Sequence, residues 1–426
     1  MSKKLSTTNK KIYLDYAGTT PVDKEVLKEM LPYFNKKFGN ASSIHSFGQE
    51  AIKAIDKSRE KIAKLFSCDF SEIIFTGSAT ESNNLAIKGL SANFCYSKSL
   101  RTIDSNNSVG SIGAVSKFHI ISTKIEHESV LEPLKKLAKA GHKVTYLPID
   151  KDGLIKISDL EKNIKNNTIL ISIIYANNEI GTIQPIKEIG KLLEKINKKR
   201  REAGLPKIYF HTDAVQALNY LECRPDWLKI DLLTFSGHKI YGPKGIGGLY
   251  VRKGTPLSAI ISGGGQEFGW RSGTENVPHI VGMAKAVELA ISAKGGSASG
   301  GKNREKRSKY VLDLRNKLWK NIIKYNKGAK LNGSFINRLP NNLNIRFSGL
   351  SNETLIVALD QAGIAVSAGS ACSSRALAAS HVLTAIGLTP KQAMESIRIT
   401  LGKNTTKEEI KKAAEIINKT VKQFIN

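Results

Sequence analysis

The sequence predicts an α/β protein in which a large domain, built on a mainly parallel mixed sheet flanked by helices, is followed by a smaller α+β domain. Short apolar runs alternate with helix-period segments through the first two thirds of the 426 residues. Polar residues follow several of these runs directly, and the alternation changes after residue 280. Alternation of this kind is typical of parallel sheets covered by helices.

The predicted strands of the large domain are short runs rich in β-branched residues. They are "EIIFTGS", "FHIISTKIE", "KVTYLPI", "TILISIIYANNE", "KIYFHTDA", "DLLTFSG" and "GGLYVR". Helix-period segments such as "SVLEPLKKLAKAGH" lie between them and end at glycine or lysine-rich turns. Because ligands of such sheets bind at the carboxyl ends of the strands, the polar residues that follow the runs are candidates for a site.

The sequence further predicts a leader, two domains and two irregular segments. Residues 1–11 are expected to be a disordered leader, 12–285 the large domain and 286–426 the small domain, with the first residues of the large domain reaching the small one. Residues 95–117 are polar and aperiodic, which indicates a surface insertion. Residues 294–309 are rich in Gly, Ser and Lys, which predicts a mobile segment near the domain junction.

Composition argues against membrane and nucleic-acid proteins. Apolar stretches such as "TILISIIYA" fall short of the ~20 residues that span a bilayer, and the N-terminus lacks the apolar core of a signal peptide. We therefore expect a cytoplasmic protein. The net charge of +28 raises the possibility of an anionic partner, but the lysines are spread without interleaved aromatic residues, which favours a solvated surface and no direct nucleic-acid binding.

The four cysteines show no spacing typical of zinc, and no metal site is predicted. Cys68, Cys95 and Cys223 are expected to pack as small apolar residues. Cys372 lies in "SAGSACSS", where the neighbours are too small to pack around a thiol. The sequence therefore marks Cys372 as a functional candidate.

Lys239 and Asp213 are the main candidates at the predicted strand ends. Lys239, in "FSGHKIYGPKGIGG", is placed to form a Schiff base with an aldehyde, although a lone loop lysine is more often an exposed surface charge. Asp213 ends "KIYFHTD", where a carboxylate could hold the protonated ring nitrogen of pyridoxal phosphate, or could simply cap a helix. The two together favour the cofactor site.

Further candidates surround this pair. The turn in "FTGSATESNNLAI" sets Ser78, Ala79 and Thr80 at a helix start, which indicates a phosphate site or an ordinary N-cap. Ser236 and His238 could add donors to the same phosphate. His127 could stack on a planar ring and pass protons, although a lone histidine is more often structural. Arg398 is the better candidate to bind a substrate carboxylate, and Arg271 competes for that role.

Seven motifs in order resemble a known family. They are "YLDYAGTTP", "GSATESNNLAIKG", "NNEIGTIQPI", "HTDAVQ", "SGHKIYGPKGIGGLYVR", "GGGQEFGWRSGTENV" and "SAGSACSS". From about Ile12 to the C-terminus the chain is similar to the cysteine desulfurases of the fold type I, class V aminotransferase superfamily. It departs from their pattern at the two irregular segments, at Gly18-Thr19-Thr20 (usually Ala-Thr-Thr) and at Asn40-Ala41 (usually Asn-Pro).

The resemblance implies a role for each matching residue. Lys239 would bind pyridoxal 5'-phosphate, Asp213 would pair with its ring nitrogen, Gln216 would bond its ring hydroxyl, and His127 would stack on the ring. Its phosphate would be held by Ala79, Thr80, Ser236 and His238, and by Thr274 from the second subunit of a homodimer. Asn178 and Arg398 would bind the substrate, Asn178 also contacting the cofactor, and Cys372 would be the nucleophile.

The implied reaction converts L-cysteine to alanine and leaves a persulfide on Cys372. His127 is the expected base for the Cys372 thiol. The sulfur would pass to an acceptor or scaffold protein for iron–sulfur clusters, thio-cofactors or tRNA thiolation. Alternatives left open are a selenocysteine lyase, another aminotransferase-type enzyme, a non-catalytic sulfur-assembly hub and, on charge alone, a nucleic-acid binder.

Overall fold

The computed structural model describes residues 11–99, 117–291, 301–369 and 379–425. Nearly all of the predicted leader, most of the segment 95–117, the first part of the segment 294–309 and the predicted nucleophile Cys372 lie outside these ranges.

The strands form one large sheet and two small ones. In chain order they are β1 (Ile12–Tyr13), β2 (Ile73–Thr76), β3 (His119–Thr123), β4 (Lys143–Leu147), β5 (Thr168–Ser172), β6 (Tyr209–Asp213), β7 (Leu232–Ser236), β8 (Gly247–Val251), β9 (Ala329–Leu331), β10 (Asn342–Phe347), β11 (Ile364–Ala365) and β12 (Ser396–Thr400). The large sheet has the order β2-β8-β7-β6-β5-β3-β4. Within it only β8 runs antiparallel to its neighbours, so the prediction of a mainly parallel mixed sheet is confirmed.

Helices cover the sheets and connect their strands. They are α1 (Lys24–Met30), α2 (Pro32–Asn35), α3 (Ser46–Phe66), α4 (Ala79–Asn84), α5 (Leu90–Ser99), α6 (Glu128–Lys139), α7 (Ile157–Asn163), α8 (Ile186–Glu202), α9 (Pro225–Leu228), α10 (Val277–Ile291), α11 (Gly301–Tyr325), α12 (Asn352–Gln361), α13 (His381–Ala385), α14 (Pro390–Ala393) and α15 (Lys407–Ile425). In the described ranges no helix combines the length and apolar character that crossing a membrane requires.

The predicted irregular segments 95–117 and 294–309 each include residues that are helical in the structure. Helix α5 continues to Ser99, and helix α11 already begins at Gly301, so the predictions are wrong for residues 95–99 and 301–309. In α11 the Lys and Arg residues that suggested a mobile segment are good helix formers. The prediction extended the irregular segment past the start of α11 because residues 294–300 are rich in glycine and serine.

The large sheet is buried on both faces along β2, β3, β5, β6, β7 and β8, whose residues are all buried, while the edge strand β4 is partly exposed. Residues of α3 and α10, such as Ile62, Phe66 and Met283, pack on one face together with Phe235 of β7. A separate cluster that includes Leu134 of α6 covers the other face. These two layers fix the sheet, so that the carboxyl ends of β2, β3, β5, β6 and β7 meet at one edge.

A second core lies around the antiparallel sheet β12-β10-β9. Helices α11, α12 and α15 pack on it, and Ile12 and Leu14 from the start of the described chain join the same cluster. β1 pairs with β11 and thereby carries the N-terminal segment to this core. The boundary at 285/286 stays a prediction; α10 packs on the first core as far as Ala290.

Candidate active site

A cavity of about 430 Å³ opens at the carboxyl edge of the large sheet. The predicted residues that line it are Ala79, Thr80, His127, Asn178, Asp213, Gln216, Ser236, His238, Lys239 and Arg398. The strand ends bring these residues together from separate parts of the chain. Ala17, Gly18 and Thr19 of the N-terminal segment form part of its wall.

Lys239 follows β7 and is held by the N-terminal segment. Its Nζ donates to the carbonyl oxygens of Ala17 at 2.7 Å and Gly18 at 2.6 Å. Asn219 donates to the Lys239 carbonyl oxygen at 2.8 Å and so fixes the backbone below the side chain. The lysine is half-buried at the cavity and is not the surface charge of the alternative interpretation.

Asp213 lies at the end of β6 with a 5% exposed side chain. Its Oδ1 accepts the backbone N–H of Val215 at 3.0 Å, and its Oδ2 accepts Nδ2 of Asn83 at 2.8 Å. The carboxylate is therefore fixed by two N–H donors. Gln216, one turn further, donates from Nε2 to the Ala17 carbonyl oxygen at 3.1 Å.

The start of α4 forms another side of the cavity. Ser78 is the N-cap, and its hydroxyl oxygen accepts the Glu81 N–H at 3.2 Å. Gly247 of β8 lies directly beneath: a Cβ at this position would come within 2.3 Å of the Ser78 carbonyl carbon and 2.6 Å of the Ala79 nitrogen. A glycine is therefore needed for the close approach of this turn to the sheet.

His238 also lines the cavity and is bonded to the N-terminal segment. Its Nδ1 is 3.2 Å from the Thr19 hydroxyl, and its carbonyl oxygen accepts the backbone N–H of Thr20. Burial, with the positive charges of Lys239 and Lys244, lowers the pKa of His238 to about 4. The imidazole is therefore neutral at pH 7.

His127 forms the N-cap of α6 and also lines the cavity. Its Nδ1 accepts the Ser129 backbone N–H at 3.2 Å and lies 2.8 Å from the Ser129 hydroxyl oxygen. The hydroxyl oxygen of Ser129 in turn accepts Nδ2 of Asn83 at 2.8 Å. Asn83 thus links His127 and Asp213 beneath the cavity.

The two candidate arginines are separated by their positions. Arg398 lines the cavity and is 2% exposed. Its Nη2 donates to Asp15 Oδ1 at 2.7 Å. Its Nη1 donates to the carbonyl oxygens of Asn178 and Gly369, each at 3.0 Å. Arg271 does not line the cavity and pairs with Glu81, Nε to Oε1 at 2.9 Å. Arg398 is the arginine that can reach a ligand there.

Two carboxyl groups near the site stand at predicted strand ends but were given no role from the sequence. Glu179 lines the cavity beside Asn178, is 2% exposed and accepts the Ser380 hydroxyl at 2.6 Å; burial raises its pKa. Glu126 precedes His127 and is fully buried. Both follow apolar runs, "IYANNE" and "STKIE", and that position was the available signal.

Two predicted residues are not part of the described cavity. Thr274 is exposed on the loop before α10, outside the cavity lining. Cys372 lies outside the described residues, in the interval between Gly369 and Ala379. Gly369, the last described residue before this interval, lines the cavity. Their predicted roles stay predictions.

Comparison with known proteins identifies the family of this chain. Residues 12–106 and 105–413 match the family "Aminotransferase class-V". The chain is 44% identical to "Cysteine desulfurase IscS" of Dictyoglomus turgidum over 97% of this chain and 95% of that one. This chain belongs to the cysteine desulfurases of aminotransferase class V. The cysteine desulfurase IscS of Methanosarcina thermophila is 42% identical over 99% of this chain and 95% of its own.

Solved structures place this cysteine desulfurase in the same fold. A structure titled "NIFS-LIKE PROTEIN" superposes with a TM-score of 0.83 at 36% identity, over 97% of this chain and all of that one. "SspA in complex with cysteine" superposes with a TM-score of 0.73 at 36% identity, over 93% of this chain and all of that one. The family and the fold type I architecture expected from the seven motifs are confirmed.

Proposed function

We propose that this cysteine desulfurase transfers sulfur from L-cysteine to Cys372, with pyridoxal 5'-phosphate bound in the cavity. The reaction breaks the Cβ–S bond of cysteine, forms an S–S bond on Cys372 and releases alanine. The observation that carries the proposal is the meeting of Lys239, Asp213, His127 and Arg398 at one cavity. The relatives named as cysteine desulfurases and the cysteine complex of a solved relative support the choice of substrate.

The residues of the cavity fit this cofactor. A primary amine, a buried carboxylate fixed by two N–H donors and a helix start lie around one space, and the glycine at 247 keeps that helix start close to the sheet. Lys239 would hold the cofactor aldehyde, Asp213 its ring nitrogen and Gln216 its ring hydroxyl. When bound, pyridoxal phosphate supplies an aldehyde that reacts with amines and a ring that withdraws electrons from the bound amino acid.

The backbone N–H groups at Ala79 and Thr80, with Ser236 and His238, would hold the cofactor phosphate. His238, neutral at pH 7 because its pKa is lowered to about 4, would act there as a hydrogen-bond partner and not as a second cation. Lys239 Nζ would take the Cα proton of the substrate. Two backbone carbonyl oxygens already orient this amine at the cavity wall.

Arg398 would bind the substrate carboxylate, assisted by Asn178. Its guanidinium is held from behind by the carbonyl oxygens of Asn178 and Gly369 and by Asp15, and its Nε has no hydrogen-bond partner among the described residues. A planar fork fixed in this way is suited to a carboxylate. Replacement of Arg398 by Lys should raise KM for L-cysteine by about tenfold, because one of two parallel hydrogen bonds is lost.

The test of the proposal is desulfuration by the purified, cofactor-loaded protein. Wild type should release alanine and, with a thiol reductant, sulfide from L-cysteine, and mass analysis should find one extra sulfur atom on the peptide that contains Cys372. Cys372→Ala should abolish sulfide release while the cofactor absorbance is kept. Cys68→Ala, at a partly exposed cysteine far along the chain, is the matched control and should retain activity.

Full activity in Cys372→Ala would overturn the assignment of the nucleophile. The same assay with selenocysteine, and with amino acid and keto acid pairs, distinguishes a lyase or an aminotransferase. Amino transfer without release of alanine from cysteine would contradict the proposed reaction.

We also propose a cytoplasmic homodimer that passes persulfide sulfur to an acceptor or iron–sulfur scaffold protein. Thr274 is exposed on its loop, as a residue that reaches a partner's phosphate must be. Large apolar side chains at 31–47, among them Phe38, Ile44 and Phe47, are exposed in the single chain and support a second subunit. Light scattering should give the mass of a dimer, and Thr274→Ala should retain the cofactor more weakly than wild type. A monomer with full activity would contradict both the dimer and the role of Thr274.

A further inference from the structure

The hydrogen bonds beneath the cavity form one continuous chain from Asp213 to His127. Asn83 Nδ2 donates to Asp213 Oδ2 at 2.8 Å and to Ser129 Oγ at 2.8 Å, and Ser129 Oγ lies 2.8 Å from His127 Nδ1. Asn83 is fully buried and Ser129 is 7% exposed. All four residues belong to regular elements or their caps, so the chain is fixed by the fold.

The donors and acceptors in this chain can be assigned one after another. A carboxylate only accepts, so the Asn83 atom that faces Asp213 must be its amide nitrogen. That nitrogen carries two hydrogens, and the second points to Ser129 Oγ. The Ser129 hydroxyl therefore accepts from Asn83, and its own hydrogen is directed to its remaining partner among the described residues, His127 Nδ1.

A second donor reaches the same nitrogen. The backbone N–H of Ser129 points to His127 Nδ1 at 3.2 Å, because His127 is the N-cap of α6. A protonated Nδ1 would face both hydrogens of Ser129. Nδ1 must therefore carry a lone pair, and a neutral His127 holds its proton on Nε2.

We infer that Asn83 and Ser129 are positioning residues that fix His127 as the Nε2–H tautomer. The ring lines the cavity while Nδ1 faces Ser129, so His127 presents an N–H donor to a group in the cavity. A neutral imidazole in this tautomer cannot accept a proton at Nε2. In this tautomer Nε2 is a hydrogen-bond donor, whereas the sequence predicted His127 as the base for the Cys372 thiol, and that role stays a prediction.

The tautomer itself is independent of any reaction, and only its use at the cavity rests on the proposed function. It can therefore be measured on the purified protein without cysteine. Labelling the eight histidines with ¹⁵N gives two nitrogen signals for each ring, and His127→Gln identifies the pair that belongs to His127. We expect a lone-pair type shift at Nδ1 and an N–H type shift at Nε2.

Variants test the two positioning residues. Ser129→Ala removes the hydroxyl donor and should lower the ratio of the two tautomers roughly tenfold, so that the two ¹⁵N shifts move toward each other. Ser129→Thr keeps the hydroxyl and should restore the wild-type shifts. Ser158→Ala is the matched control, because Ser158 also occupies the second position of a helix, α7, and is exposed.

An N–H type shift at Nδ1 in wild type would overturn the inference. Unchanged shifts in Ser129→Ala would refute the role of that hydroxyl. If Ser129→Ala does not fold, Asn83→Ala provides the second variant: it removes the donor that orients the Ser129 hydroxyl, and unchanged shifts there would refute the role of the network. A protein with the expected tautomer but no desulfuration would refute the proposed function and leave this inference intact.

Discussion

Glu126 should make the stability of the protein fall as pH rises through neutrality. Its side chain is fully buried; Oε1 accepts the Thr123 hydroxyl at 2.7 Å and the Ile174 N–H at 2.9 Å, while Oε2 has no partner among the described residues. Burial raises the pKa of this carboxyl from the ordinary 4.5 to about 8, against the effect of the two hydrogen bonds, and Asp213 adds to the rise. The folded protein therefore keeps a proton at pH 7 that the unfolded chain has lost.

The sign and size of the effect follow from proton linkage. Below pH 4.5 the carboxyl is protonated in both states and contributes nothing. Between pH 4.5 and about 8 the folded state binds more protons, so the free energy of unfolding falls by about 1.4 kcal/mol per pH unit. From about pH 5 to about pH 7.5 the loss is about 3 kcal/mol. Glu126→Gln cannot titrate and should not show it.

The assay is urea unfolding of wild type and Glu126→Gln across this pH interval. Relative to wild type, the variant should gain about 3 kcal/mol as pH rises, because titrations common to both proteins cancel in the difference. Glu161→Gln, at an exposed helix position, should stay parallel to wild type. A difference between Glu126→Gln and wild type that is constant from about pH 5 to about pH 7.5 would refute the reasoning.

Two further predictions concern the loop after β8 and the turn before α4. Arg59 pairs with the buried carboxylate of Glu267 at 2.7 Å, and Arg59→Met would leave that carboxylate without its cation. The variant should lose about 3–5 kcal/mol of stability in urea unfolding, and a loss below about 1 kcal/mol would contradict this. Gly247→Ala should weaken pyridoxal phosphate binding about tenfold in an absorbance titration, because its Cβ would overlap the Ser78 backbone. Gly328→Ala, where nothing lies within 4 Å, should bind as wild type does.

The sequence predicted the sheet and the strand-end residues because both depend on local pattern. Apolar runs bounded by polar residues mark the strands, and the rule that carboxyl ends share one edge brought Lys239 and Asp213 together without knowledge of any contact. The helix in 301–309 was missed, because a Gly/Ser stretch next to it dominated the composition. Local pattern thus misjudged where α5 ends and where α11 begins.

Contacts between distant residues could not be predicted from the sequence. The choice between Arg398 and Arg271 depends on Arg271 meeting Glu81, which is 190 positions away along the chain. The burial of Glu179 depends likewise on Ser380, 201 positions away. No periodicity or spacing predicts such pairs, because they form only when distant segments of the chain meet in the folded protein.

Three buried ionisable groups on the elements that carry the cavity residues are neutral at pH 7. Burial raises the pKa of Glu126 to about 8 and lowers those of His211 and His238 to about 3 and 4, so all three are neutral at pH 7. Asp213 keeps two N–H donors, and Arg398 keeps its carboxylate and carbonyl partners. A charged ligand in the cavity would therefore meet the charges of groups such as Lys239, Lys244 and Arg398, and these three neutral groups would add none.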